Sequence, residues 1–352
     1  MDEPVVAATK PCLVALVEGK RYAWCSCGLS ETQPFCDGSH VGTAFKPIVF
    51  KAHETDEELL CACKLTKAPP YCDGSHNSLT ASYGATMNET ASDDAAMVEA
   101  SDIGNGVRRA ALDSNCFVIA PGRAAEIHAG GLALYHVIGQ RDGAKRLSQF
   151  AGTLAPGAGP IVRFADADTV IYVISGSGSI EIGQRRFQLP AESGAYVRKG
   201  EAFRIHADDA IALNITVCPL GPLPEILDVM PDAFDDAVEK RIEPVDDSQR
   251  SEMADRYYQV LVDGEKQGTE VTQFIGHIPF SRAAHHRHLY EETMTVLSGE
   301  GVMWTDATKT VIHPGDTIFL PRKQSHSVEC TSAEGMMIVG VFYPTMSLAI
   351  NY

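Results

Sequence analysis

Apolar residues along this chain fall in the rhythm of strands. In TVIYVISGSGSIEIG (169–183) and in ETMTVLSGEGVMWTD (292–306), large apolar side chains alternate with smaller or polar ones on both sides of a glycine-containing turn. A period of two is what a strand with one buried face imposes. Two shorter β-like runs, CLVALVEG beginning at Cys12 and KPIVFKAH beginning at Lys46, lie near the N-terminus. Between these regions, SLTASYGATMNETASDDAAM (78–97) has few large apolar residues to fix a core; it reads as a linker with a short helix near Asp94 to Ser101. The expected protein is mainly β.

The pattern is duplicated at two scales. VISGSG (173–178) recurs as VLSGEG (296–301) at an offset of 123 residues. Gln149-Phe150-x-Gly152, Pro190 and Arg198-Lys199 recur as Gln273-Phe274-x-Gly276, Pro314 and Arg322-Lys323 at an offset of 124. Two related β domains follow, and strands separated by Gly-rich turns suit a double-sheet barrel. A tighter repeat precedes them: Cys25, Cys27, Ser30, Pro34, Cys36, Asp37, Gly38, Ser39 and His40 recur as Cys61, Cys63, Thr66, Pro70, Cys72, Asp73, Gly74, Ser75 and His76, every pair 36 residues apart. The domain reading is therefore a tandem metal-motif unit over 1–80, a linker over 81–111, a first β domain over 112–220, an acidic Pro-containing linker over 221–254 and a second β domain over 255–346.

At 352 residues the chain has room for these bodies, each with its own core. A formal charge of -17 gives a nucleic acid or an anionic membrane nothing to attract, so the expected partners are small molecules. No run of eighteen apolar residues occurs, and MDEPVVAATK lacks the basic flank and apolar core of an export signal. A soluble cytoplasmic protein is expected. Of ten cysteines six belong to the repeated motif; Cys12, Cys116, Cys218 and Cys330 read as packing thiols in a reducing compartment.

Cys-x-Cys brings two sulfurs close enough to chelate one metal ion, and a Cys and His four residues apart across an Asp-Gly turn can hold a second. That division suits a 2Fe-2S rhomb; three thiolates and an imidazole also make a structural zinc site. The two motifs resemble those of the CDGSH (NEET-type) iron-sulfur family over about residues 11–79. The resemblance implies one 2Fe-2S cluster on Cys25, Cys27, Cys36 and His40 and another on Cys61, Cys63, Cys72 and His76. The family usually pairs two motifs in a homodimer; a tandem copy implies the same pair within one chain.

In the second β domain, His286-x-His288, three residues, Glu292, six residues and Gly299 are followed by Gly315, five residues, Pro321, four residues and His326. In an extended strand 286, 288, 290 and 292 face one side. The spacing is that of the two cupin motifs, with Lys323 and Cys330 departing from the common Gly and Asn at non-ligand positions. The resemblance covers about residues 112–346 and implies two jelly-roll barrels, the second holding a metal on His286, His288, Glu292 and His326. Three imidazoles and a carboxylate suit Fe(II) first, with Mn, Ni, Cu and Zn also accommodated. The duplication maps the ligands onto Arg163, Ala165, Thr169 and Ala202, so the first barrel is expected to be metal-free, with His206 nearby but unaccompanied. Arg282, Tyr290, Met294 and Trp304 are expected to line the second barrel, Arg282 holding a substrate carboxylate; His277, His285 and His313 are not expected to be ligands.

Redox clusters joined to a mononuclear site imply electron flow between them. The expected function is an Fe(II)-dependent cupin oxygenase of the dioxygenase type acting on a small polar molecule such as an amino acid, carboxylic acid or thiol. Oxygen is the co-substrate, the clusters supply electrons or maintain the iron, and a redox partner protein and homo-oligomers are further expectations. The alternatives are a redox or iron sensor or cluster-transfer protein with the cupins as scaffold, and a non-oxidative isomerase or lyase.

Overall fold

The structure is a computed structural model that describes residues 3–52, 55–66, 69–72, 75–76, 79, 94–104, 106–120, 125–221, 223–238, 240–253 and 255–345. The described residues divide into two compact units, the first ending at 79 and the second over 94–345. Among the described residues no helix is long and apolar enough to cross a membrane.

In the N-terminal unit the two repeats exchange strands. Cys12–Leu16 of the first pairs antiparallel with Asp56–Leu60 of the second, and Arg21–Trp24 of the first with Ile48–Lys51 of the second. Cys12 faces Leu60 and Trp24 faces Ile48; adding 36 to the first-repeat member and subtracting it from its partner converts one register into the other. The tandem copies are thus paired about an internal two-fold. The core follows that symmetry: Trp24 and Leu60 are equivalent and buried, and Phe35 and Tyr71 are equivalent and packed against them.

The duplication of the larger unit holds strand by strand. Leu132–Ile138, Ser148–Leu154, Asp168–Ser175 and Gly178–Ile182 correspond to Arg256–Val262, Thr272–Ile278, Glu291–Ser298 and Gly301–Thr305. The irregularities correspond too. The register shifts between His136 and Ile138 and between Val260 and Val262, 124 residues on, and again between Val173 and Ser175 and between Val296 and Ser298, 123 residues on. The first barrel is built from a seven-stranded and a six-stranded sheet, the second from a nine-stranded and a four-stranded sheet.

The segments expected as linkers are parts of these sheets. Phe117–Ala120 pairs with Thr317–Leu320 of the second barrel, and Val107–Ala111 and Ser101–Gly104 extend that sheet outward. Ala96–Met97 pairs with Thr308–Ile312, so a strand stands where a short helix was expected near Asp94 to Ser101. Reciprocally, Ile242–Pro244, just ahead of the second barrel, pairs with Ser193–Val197 of the first, and Glu225–Leu227 pairs with Ile161–Arg163. Each barrel is therefore closed by the segment preceding its twin. These arms are two to five residues long with little alternation, so only their non-local partners reveal them. Residues 81–93 and 105 of the expected linker lie outside the described residues.

Acid side chains lock the exchange. Glu291 accepts from the backbone N–H groups of Lys145, Arg146 and Leu147 at 2.9–3.0 Å, and its equivalent Asp168 accepts from Thr269, the equivalent of Lys145, at 2.6 Å. Between the barrels Gln149 and Asn214 both hydrogen-bond Thr295, which also bonds Thr317 of its own barrel, and Thr293 donates to Gln149. Arg241 and Glu201, both buried, form a bidentate pair at 2.7 and 2.8 Å, with Glu201 also accepting from the Arg198 and Asp235 amides. Removing one partner leaves the other as a buried charge, so Arg241→Met is expected to lower unfolding stability by about 3–5 kcal/mol. Arg241→Met paired with Glu201→Gln should recover part of that loss in chemical denaturation, and equal losses in single and double variants would contradict the pair's role.

Candidate metal centres

Each Cys-x-Cys leaves directly from a strand. Backbone bonds from Cys25 N–H to Pro34 O (2.9 Å) and from Cys36 N–H to Ala23 O (2.8 Å) tie the Cys-x-Cys segment to the one bearing Cys36 and His40; Cys61 to Pro70 and Cys72 to Leu59, both 2.9 Å, repeat the arrangement. The equivalent hydroxyls of Ser30 and Thr66 donate to Phe35 O and Tyr71 O at 2.6 and 2.7 Å. Asp37 accepts from the Ser39 and Glu31 amides, and hydrogen bonds from Ser39 and Glu31 hold its carboxyl well below the usual range. The second-motif equivalents Asp73 and Gly74 lie outside the described residues.

The donors stand in pairs. Cys25 Sγ is 3.6 Å from Cys27 Sγ and Cys36 Sγ is 3.2 Å from His40 Nδ1; the second motif gives 3.5 Å for Cys61 and Cys63 and 3.3 Å for Cys72 and His76. One tetrahedral ion would gather four donors into one group, whereas two irons each take a pair. The group of three mutually close donors among the described residues is His286, His288 and His326. Burial pushes the Cys27 thiol up and Cys63 up to about 11, so these two need a bound cation to exist as thiolates, whereas at Cys25 burial is outweighed by hydrogen bonds from Ser30, Gly28 and Gln33, which lower the pKa. Paired soft donors with that need fit iron-sulfur clusters.

In the second barrel His326 opens the strand His326–Cys330, and His286 bonds to it through both backbone groups at 2.8 and 2.9 Å. Lys323 N–H donates to His288 O at 2.7 Å, and Lys323 adopts φ +67, the backbone a glycine would take. Gly299, the motif glycine, has φ +78, and a Cβ there would stand 2.3 Å from Gly335 O. Ligand atoms of His286, His288 and His326 lie within 4.8 Å of one another, and Glu292 Oε2 is 3.7 Å from His288 Nε2.

Backbone carbonyls set the tautomers. Ala284 O and Gln324 O can only accept, so His286 and His326 donate through Nδ1–H at 2.7 and 2.9 Å and leave Nε2 as a lone pair. Burial lowers the pKa of both imidazoles and raises Glu292 to about 8. Glu292 Oε2 is buried without a hydrogen-bond donor. Neutral imidazoles at His286 and His326, with a carboxylate beside His288 that has an unanswered oxygen, fit a divalent cation, which would supply the missing positive charge.

Two expected lining residues point elsewhere. Arg282 bridges Glu329 while His286 bridges His326, so the segment slips by one residue between them and the parity that placed Arg282 beside the ligands is inverted. Its guanidinium covers the Trp304 ring at 3.7 Å, with Lys309 4.0 Å from the same ring and Trp304 Nε1 donating to Glu329 at 2.9 Å. Trp304 faces Ser327 across the sheet, whereas Thr305 faces His326 and Met303 faces Val328, so Met303 shares the ligands' face and Trp304 the outer one. Tyr290 is stacked between His288 (4.5 Å) and Phe342 (4.0 Å). Met294 shares the face of Glu292 with Phe342, Ile318 and, one strand further, Phe274. Sequence parity found Met294; Met303, Phe274 and Phe342 needed the register.

Other histidines are engaged outside this group: His285 with Asp306, His313 with Asp316, and His277 stacked on Tyr257. In the first barrel Arg163 pairs with Glu225 and His206 with Glu181, while Phe150, Phe164, Ile171, Val197 and Phe203 belong to its apolar core.

Comparison with known proteins agrees with both halves. Residues 5–41 match the family described as iron-binding zinc finger CDGSH type, and 279–342 match the cupin domain. The chain is 55% identical over 55 residues to the mouse (Mus musculus) protein named CDGSH iron-sulfur domain-containing protein 3, mitochondrial, covering 15% of this chain and 40% of that protein. It thus spans less than half of the curated relative's length. Among solved structures, coconut allergen cocosin aligns with a TM-score of 0.54 at 11% identity over 65% of this chain and 85% of that one. A mutant of Bacillus subtilis oxalate decarboxylase aligns at 0.48 and 16% identity over 63% and 76%. The chain carries a CDGSH domain and a cupin domain; likeness to solved structures at these identities speaks to the fold alone.

Proposed function

We propose that this chain is an iron-dependent cupin oxygenase or oxidase of a small organic molecule, with two 2Fe-2S clusters in its N-terminal unit supplying electrons or restoring the iron's oxidation state. The carrying observation is the convergence of His286, His288 and His326, with Glu292 beside His288 and one of its oxygens buried without a hydrogen-bond donor, in a chain that also holds two sets of paired sulfur and imidazole donors. When bound, iron supplies open coordination positions and one-electron chemistry for oxygen activation, and the clusters supply single electrons.

The protein's own groups prepare that chemistry. Ala284 O and Gln324 O keep the Nε2 lone pairs of His286 and His326 turned toward the shared centre, Tyr290 fixes the His288 ring by stacking, and Glu292 provides the negative charge. Phe274, Met294, Met303, Ile318, Val328 and Phe342 offer an apolar wall that excludes water. With Arg282 turned outward, the polar group of the substrate is met by the metal rather than by a guanidinium, which favours a small chelating molecule with an apolar body.

Protein purified without oxygen should contain about four cluster irons and about one further iron per chain, with the visible and EPR signals of 2Fe-2S centres. Oxygen uptake should track substrate loss. Zinc in place of all iron, with no colour, would overturn the proposal; turnover without oxygen would transfer it to a Lewis-acid isomerase or lyase.

A further inference from the structure

The two N-terminal motifs share their ligand geometry but not their surroundings, and Lys64 is the main difference. It occupies the position equivalent to Gly28, 36 residues earlier. Both adopt a left-handed backbone, φ +81 at Gly28 and +67 at Lys64. Lysine disfavours that conformation and glycine does not. The first repeat cannot carry a side chain at this place, since a Cβ on Gly28 would stand 1.7 Å from Val5 O. A cation here can come from the second repeat alone.

Lys64 is buried, at 6% exposure, and its ammonium is directed inward. Nζ donates to Cys61 O at 2.9 Å and lies 4.6 Å from the centre of the Trp24 ring. Trp24 immediately precedes Cys25, and its own Nε1 donates to the same Cys61 carbonyl at 2.8 Å. The ammonium is thus held between the strand end that launches Cys25 and the one that launches Cys61. Cys61 belongs to one ligand set and Cys25, next to Trp24, to the other, so the charge stands beside segments of both. A second asymmetry affects the first motif alone: Gln33 Nε2 approaches Cys25 Sγ at 3.5 Å, and the equivalent position holds Pro69, which has no such donor.

We infer that Lys64 is an electrostatic bridge between the two clusters, one fixed cation that makes both easier to reduce. The inference rests on the two-cluster reading above. Each cluster takes one electron, one of its irons passing from Fe(III) to Fe(II), and the added negative charge is stabilised by the ammonium shared between them. A unit charge roughly 10 Å away at an effective dielectric near 20 changes a reduction equilibrium by about tenfold, ~59 mV for a one-electron couple.

The test is a dithionite titration of the full-length protein and its Lys64→Met and Lys64→Arg variants, followed by visible absorption and EPR, with iron and sulfide measured beforehand. Lys64→Met should make reduction of both clusters about tenfold less favourable, and Lys64→Arg should stay near wild type. Repeating Lys64→Met in Cys36→Ser and Cys72→Ser backgrounds assigns each shift to one cluster. Unchanged potentials at full cluster content would overturn the bridge, and so would a shift confined to the second cluster. Lys64→Gly, which suits the backbone as Gly28 does, decides the matter if the methionine variant assembles poorly. Zinc and no colour in the wild-type protein would instead remove the two-cluster reading, independently of Lys64.

Discussion

Replacing His288 by Ala is expected to strip the mononuclear metal from the second barrel while leaving the cluster iron in place. His288 is one of three converging imidazoles and is also the ring beside Glu292. Loss of a partner outside the ligand set already costs about ten- to a hundredfold in metal affinity, so loss of a ligand should exceed about a hundredfold and take turnover with it. Glu292→Gln separates metal binding from folding. Glu292 is fully buried, and its pKa of about 8 reflects the cost of its charge in that position. A neutral isostere removes this cost, so the metal-free variant should melt no lower than the metal-free wild type although its metal affinity falls. Metal analysis and thermal melts after chelation measure the two effects separately. Full metal content in His288→Ala would remove the second barrel as the reaction centre.

The second large effect concerns the clusters. Cys36→Ser and Cys72→Ser should each remove about half of the cluster iron and sulfide, and the double variant nearly all, because serine is a hard, protonated ligand in place of a soft thiolate. The N-terminal unit has a small core, with Trp24, Leu60, Cys61 and Cys63 at its centre, so cluster loss should also lower its resistance to proteolysis. If the clusters supply electrons, a single turnover of pre-reduced protein survives and sustained oxygen uptake falls by at least about tenfold. Sustained turnover unchanged in the double variant would separate the clusters from the reaction and favour sensing or cluster transfer as their role. Delivery of iron and sulfide to an apo acceptor is the measurement that tests that outcome.

The candidate ligands were legible because metals demand particular side chains at short sequence spacings. Cys25 to His40, Cys61 to His76 and His286 to Glu292 each fall within sixteen residues, so local geometry nearly suffices. The duplication was legible for the same reason: repeated sequence builds repeated strands, down to the matching bulges. Arg282 shows where this reasoning ends. Its parity was counted correctly, but the one-residue slip between the Arg282–Glu329 and His286–His326 bridges is a property of pairing with another strand.

By itself, the sequence determined the chemistry proposed for this protein: two cysteine-rich motifs, one candidate set of barrel ligands, and a twin barrel without that pattern. Only the tertiary structure decided what surrounds that chemistry. It showed that the arms around Phe117 and Ile242 close the opposite barrels, that Arg282 and Trp304 face away from the candidate metal ligands, and that the Lys64 ammonium lies at the Cys61 carbonyl and the Trp24 ring beside Cys25. The reason is physical: a ligand set is fixed by side-chain chemistry at close spacing, whereas register, exchange and burial depend on contacts between segments far apart in the chain.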